Sequence, residues 1–310
     1  MKRIILLSIV TVSLVSCNAN FTAALTGQEQ AAPVSYPAFS DETEVTINGH
    51  TLDAMEPFIA KDGSYLFYNS LNDGNDTSLY YAAAVNETTF TCMGKISNVN
   101  GTVPHLDGVA SMDMQHNFYF VSTRNYPTVM ENYLTATWSN GAVGAVTSVT
   151  GNFYIYTPGW LIMDAEINAA GNLLYYCNAR FSGRAAPDEA RLGIAAKNGA
   201  SFNKISSSDY LLRNINDTSY IVYAPSISSD GKELFFTRMR LGTYDSEICV
   251  SIRSTTDDRF STPKKLDIPA ATGEFLEAPT LTGDGGRLYY HRKKISGDGK
   301  YHIFTMKRKR

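Results

Sequence analysis

The sequence predicts an all-β protein, a five-bladed β-propeller with four-stranded blades, closed by an N-terminal strand that completes the last blade. Three observations lead there. Five segments repeat one pattern, their turn positions falling at 62, 114, 170, 230 and 284 and therefore 52, 56, 60 and 54 residues apart. Repeats of this period filled with short strands are the mark of a propeller or a similar array. The composition favours strands, with 12% aromatic residues led by 19 Tyr and 15 Phe. Finally, an aromatic precedes the start of a repeat by the same 17 residues three times: Phe90 before Asp107, Phe260 before Glu277, and Phe39 before Glu56.

The repeats are Glu56–Tyr68 (EPFIAKDGSYLFY), Gly108–Phe120 (GVASMDMQHNFYF), Asp164–Tyr176 (DAEINAAGNLLYY), Ala224–Phe236 (APSISSDGKELFF) and Ala278–Tyr290 (APTLTGDGGRLYY). Asp-Gly between two apolar runs marks a hairpin, because glycine takes the positive φ of the turn without a steric cost. That turn joins the innermost strand of each blade to the next. The blades are placed at about 52–98, 105–158, 161–208, 220–268 and 274–310, the last completed by 39–47. Residues 39–47 have no blade before them, while the chain after Tyr301–Met306 has no fourth strand. Joining the two shuts the ring and covers two strand edges.

The segments resemble the TolB-type propeller repeat, with its Pro-x-Ile-Ser-x-Asp-Gly-x-x-Leu-x-Phe core followed by Ser-x-Arg. The match is good in blades one, four and five. It is degraded in blade two, where Met114-Gln115 replaces Asp-Gly, and in blade three, where Ala170-Gly171 does. The resemblance covers about residues 36–310 and implies the fold.

The N-terminus reads as an address. Lys2 and Arg3 precede an apolar stretch from Ile4 to Val15, too short to span a bilayer. It ends in Leu14-Val15-Ser16-Cys17, which resembles the lipobox of bacterial lipoproteins. The resemblance implies removal of residues 1–16 and lipidation of Cys17, whose acyl chains hold the protein to a membrane. Residues 17–35 are small and polar and read as a tether. The expected location is the cell envelope, lipid-anchored, with Asn18 after Cys17 leaning toward the outer membrane, on its periplasmic or surface face.

Composition narrows the function classes. Hydrophobic residues are 44% and charged ones 18%, which is globular. Without residues 1–16 the net charge is near −5, from 25 basic and 30 acidic residues. A mildly acidic chain whose one basic run is Lys307–Arg310 lacks the clustered cations that nucleic acid requires. Beyond Cys17, the odd count of Cys92, Cys177 and Cys249 permits at most one disulfide, and their β-rich surroundings suit small buried hydrophobes. Neither a metal nor a cofactor is expected. The five histidines form no His-x-x-x-His pair, and neither a phosphate loop nor Gly-x-Ser-x-Gly occurs. Leu71–Thr77 resembles part of a calcium loop but lacks the distal glutamate, and a turn is the expectation.

Chemistry is expected at one mouth of the central channel. Carboxylates open the innermost strands: Glu56, Asp107, Asp164 with Glu166, and Glu277, with Tyr223 in blade four. Second strands run back to the same face and end in polar residues, including Asn69, Arg124, Arg180, Arg238 and Arg292. In repeats of this type such acids and arginines commonly pair between blades as structural clasps. The leading expectation is a binding or scaffold module for a peptide, a glycan or an envelope protein. The alternative is a glycosidase, since several five-bladed propellers of the arabinanase and levansucrase kind place an acid, a base and a helper carboxylate around such a pocket. Glu56, Asp164 and Glu277 are the candidates for that set. Carboxylates clasped by Arg124, Arg180, Arg238 or Arg292 favour the scaffold, and unpaired carboxylates in an open pocket favour the enzyme. Tyr154, Tyr156 and Trp160 form an aromatic cluster entering blade three. Segments 183–196 and 207–222 are read as the loops that carry specificity.

Overall fold

The computed structural model describes residues 35–72, 76–102 and 105–309. Cys17, the leader and all of the tether except Ser35 lie outside the described residues. Those residues form five sheets, antiparallel except for short parallel pairings, arranged as a five-bladed propeller, with one short helix, Ser208–Leu211.

Each blade is a meander that starts at the channel. The innermost strands are Met55–Ile59, His105–Met112, Trp160–Ile167, Tyr220–Ile227 and Phe275–Leu281. The second strands, which return to the starting face, are Tyr65–Asn69, Asn117–Ser122, Leu173–Arg180, Glu233–Arg240 and Arg287–Lys293. The blades pack through their apolar faces, and aromatics of adjacent blades meet edge to face. Phe67 of blade one lies 4.9 Å from Trp138 of blade two, and Tyr119 of blade two 6.2 Å from Phe202 of blade three. Each such ring contributes roughly 1.5–3 kcal/mol on burial.

Closure follows the expected route with one refinement. Phe39–Glu44 pairs antiparallel with Tyr301–Arg308, register Phe39↔Arg308 to Glu44↔Phe304. Glu42 reaches from this strand to the buried Arg292 at 3.0 Å and accepts from the Tyr290 hydroxyl, while Phe39 meets Phe235 of blade four at 5.8 Å. After Val45 the chain changes blade: Thr46–Asn48 runs parallel to Thr89–Lys95 on the outer edge of blade one. Residues 39–48 therefore staple the last blade to the first rather than serving blade five alone.

The degraded turns keep their function by substitution. In blade one the Asp62 carboxylate accepts the Ser64 N–H and Gly63 takes φ 75°. In blade two Asp113 accepts from Gln115 and Asn117, and His116 takes the positive φ at 64°. That hairpin closes from Asp113 to Asn117, whereas blade one closes from Ala60 to Tyr65, so blade two's turn is one residue shorter. The segments read as specificity loops are part regular structure and part loop. Glu189–Asn198 is the third strand of blade three, and the region from 207 holds the helix, whose Leu211 is in the core, and the start of blade four. Residues 183–188 and 212–219 remain loop. Cys92, Cys177 and Cys249 are free thiols, the latter two buried.

Candidate functional site

Every innermost strand carries a break in register near its middle. Four of the breaks hold a non-glycine residue at positive φ: Glu56 at 47°, Val109 at 53°, Ala224 at 48° and Ala278 at 57°. Such backbone costs of order 1–3 kcal/mol and persists only where surroundings hold it. Here the holding groups come from the preceding blade. The Glu56 N–H donates to His291 Nδ1 at 2.8 Å, Val109 N–H to Asn69 Oδ1 at 3.0 Å, and Ala278 N–H to Thr237 Oγ1 at 3.0 Å. In blade four the Ala224 N–H donates to the carboxylate of Asp164. The bulges turn side chains toward the channel.

Three acids from blades one, three and five line one cavity of about 470 Å³ at the mouth: Glu56, Asp164 and Glu277. This size suits a small ligand or part of a larger one. Glu56 accepts from the Asn69 side-chain amide, whose own oxygen is fixed by Val109, and Gly108 leaves room for that amide. Glu277 accepts from the Tyr223 hydroxyl and lies 3.2 Å from His291 Nε2. Because His291 Nδ1 already accepts the Glu56 N–H, the neutral ring carries its proton on Nε2, facing Glu277. Asp164 is buried, and among the described residues its Oδ2 has no partner.

No lysine or arginine pairs with these three carboxyls among the described residues. The energetic consequence is direct. Burial, then the charges of Asp164 and Glu277, raise Glu56 well above the usual carboxylate range, with Asn69 pulling the other way. Burial, then Glu277, pushes Asp164 up to about 8. Three buried acids in one cavity with no lysine or arginine partner cannot all ionise freely, so protons are retained near neutral pH. Burial and Glu277 likewise keep Tyr223 a phenol.

The remaining sequence candidates are placed elsewhere. Asp107 does not line the cavity: it is fully buried, bound by Arg124 at 2.7 Å and by the Gly101 N–H at 3.0 Å. This is the structural clasp; in blade five the buried Arg292 makes a comparable one with Glu42 and Glu274, not with Glu277. Arg180 lies 3.9 Å from Glu189, and Arg238 pairs with Glu247 at 2.5 Å while covering Tyr220 at 4.4 Å. Neither approaches the cavity acids as a partner. Glu166 sits deeper in the channel, bound to Lys61 at 2.9 Å and to the Ile227 N–H at 3.0 Å. Its position along the innermost strand matches Ser111, Ser226 and Thr280, whose hydroxyls accept the N–H of Ile167, Leu281 and Ile59 of the next blade. Glu166 is thus one link of an inter-blade belt.

Of the aromatic cluster, Tyr154 is buried and donates to backbone carbonyls, Tyr156 is exposed and bonds Glu131 at 2.9 Å, and Trp160 is partly covered by Arg191. The rim is made instead by Phe181, Arg184–Pro187, Tyr244 and Phe275. Residues 73–75 of the calcium-like stretch lie outside the described residues. Among those described, no group of three or more His, Cys, Asp or Glu has the arrangement of a metal site. His291, Asn69 as the orienting amide, and Lys61 emerge only from the structure.

The clasp carries a prediction. Arg124→Met leaves Asp107 charged and buried without its guanidinium, and removing one partner of such a pair typically costs about 3–5 kcal/mol. An unfolding free energy lowered by that amount in denaturant titration, with cavity chemistry unchanged, is expected.

No protein-family profile matches the chain, and no curated protein matches it. Solved structures do. A thermostable family-43 glycoside hydrolase aligns with TM-score 0.54 and 12% identity over 86% of this chain and 92% of its own. The catalytic domain of the family-62 α-L-arabinofuranosidase of Coprinopsis cinerea aligns with TM-score 0.55 and 9% identity over 88% and 96%. A protein of unknown function from Dyadobacter fermentans gives 0.51 and 10% over 88% and 99%. TolB propellers also match, that of Agrobacterium tumefaciens with TM-score 0.47 and 11% identity over 86% and 78%. At these identities the likeness is one of fold.

Proposed function

We propose that the chain is a carbohydrate-active hydrolase that cleaves a glycosidic bond at the channel mouth. The observation that carries this reading is the trio Glu56, Asp164 and Glu277: one cavity, three blades, and no lysine or arginine partner among the described residues. In a scaffold, as Asp107 illustrates, such acids are clasped. Glycoside cleavage needs one carboxyl that keeps its proton and one carboxylate that takes a proton from water or attacks the sugar carbon.

The three environments divide these roles. Glu56 is open to the cavity and holds a proton above the ordinary range, which suits the general acid that protonates the leaving oxygen. Glu277, oriented by the Tyr223 hydroxyl and with His291 Nε2 3.2 Å away, suits the base or nucleophile. Asp164 is buried behind them and acts as the helper: it keeps its own proton to about 8, and once ionised its charge raises the proton affinity of Glu56. Phe181, Tyr244 and Phe275 at the rim offer faces on which sugar rings stack. The fold neighbours that are glycoside hydrolases are consistent with this reading.

The test is hydrolysis of a panel of aryl glycosides and arabino-, xylo- and gluco-oligosaccharides by the purified chain and by Glu277→Gln. Turnover lost in the variant supports the proposal. A panel untouched by the wild type, or cleaved equally by Glu277→Gln, overturns it and returns the cavity to a binding role for a peptide, glycan or envelope protein. The same proposal places the enzyme outside the cytoplasm, anchored through Cys17. Incorporation of labelled fatty acid that Cys17→Ala abolishes would support this address, and its absence from the wild type would refute it.

A further inference from the structure

We infer that the cavity is blind and takes the end of a glycan chain rather than its middle; this rests on the hydrolase reading above. The floor comes from the innermost strands. Directly below the acids the channel narrows to a space of about 30 Å³, lined by Pro57, Ala110, Ala165, Pro225 and Pro279 among others, one from each blade and each next to a bulge. Such a volume holds about one or two waters and no sugar.

Below that constriction a second seal crosses the channel. Lys61 extends from the hairpin of blade one and meets Glu166 of blade three at 2.9 Å, both side chains nearly fully buried, at 3% and 4% exposure. The same ammonium group donates to the Leu281 carbonyl of blade five at 3.0 Å. Three blades are thus tied across the axis by one ion pair whose hydrogen bonds are completed by backbone. Opening it would leave a charge buried without its partner.

Among the described residues every blade contributes to the wall: Asn72 of blade one, Thr123 of blade two, the loop of blade three from Arg184 to Pro187, Tyr244 of blade four and Phe275 of blade five. Glu56 and Asp164 border both the cavity and the constriction, so the proposed acid and helper lie at the bottom. A polymer can bring a bond to that depth only by entering end first. The bond cut is then the one nearest the end, and the product leaves by the way it entered.

The experiment uses linear oligosaccharides of two to six residues from the series that the wild type hydrolyses, labelled at the reducing end. Early time points should show shortening by one fixed small unit from the unlabelled end. In calorimetric titration of Glu277→Gln with the same unlabelled series, affinity should stop rising beyond two or three residues. A spread of mid-chain products at early times, or affinity climbing up to six residues, overturns the blind-pocket inference and leaves the hydrolase reading standing. Neither cleavage by the wild type nor binding by the variant of any member overturns both.

Discussion

Glu56→Gln is expected to lower kcat on an unactivated glycoside by about 10²–10⁴-fold, the usual worth of a placed proton donor. The amide occupies nearly the same volume and keeps an oxygen toward Asn69, so the fold should survive. What is lost is the proton that the leaving oxygen needs. An aryl glycoside with an acidic phenol leaves without that help, and its rate should fall far less. The split between the two substrates identifies the acid. Equal losses on both would mark Glu56 as a binding or structural group, and an unchanged rate on both would remove it from the reaction.

The second large effect concerns stability. Asp164 holds its proton to about 8 when folded, against 3.8 for an ordinary aspartate. Between those values the folded chain binds more protons than the unfolded one, so stability falls as pH rises. The contribution is whole below about pH 4 and lost as pH rises through about 8. Asp164→Asn is neutral at every pH and removes this part of the slope. The variant should be more stable than the wild type at pH 8.5 by a few kcal/mol, roughly 5–10 °C in Tm, with the gap closing toward pH 5. Matched thermal melts at the two pH values check it. A variant less stable at pH 8.5 would show that Asp164 is a satisfied structural carboxylate. That a natural sequence retains the less stable residue is what a working site predicts.

The sequence carries the ring and much of the mouth. Asp-Gly turns and the aromatic second strands mark the blades, and the placement of Phe39 relative to Glu56 points to closure through the N-terminal strand. Glu56, Asp164, Glu277 and Tyr223 could be named because innermost strands start on one face. Asp107 was not separable from them. Its blade has a hairpin shorter by one residue, so the bulge falls at Val109 rather than Gly108, and Asp107 lies on the other side of the strand from its apparent counterparts. A one-residue slip exchanges faces, and sequence alignment through the turn hides it.

His291 and Lys61 were illegible for another reason. Their partners lie far along the chain: His291 binds the Glu56 backbone across 235 residues, and Lys61 binds Glu166 across 105. The first arises only when the first and last blades are neighbours, and the second only when blades one and three face each other across the channel. The hydroxyl belt of Ser111, Ser226 and Thr280 is a sequence signal of a kind, since Glu166 stands at the equivalent position. Its meaning depends on the inter-blade register, which repeats alone do not supply.

The most direct measurement is the pH dependence of kcat/KM on one hydrolysed glycoside, in the wild type and in Asp164→Asn. In the wild type the alkaline limb, which reports loss of the acid's proton, should lie well above 4.5, because burial and the neighbouring charges hold the proton on Glu56. Asp164 ionises only near pH 8, and removing the charge it carries above that pH should move the limb to lower pH. A limb that stays in place in Asp164→Asn, or a rate with no alkaline limb, would contradict the account.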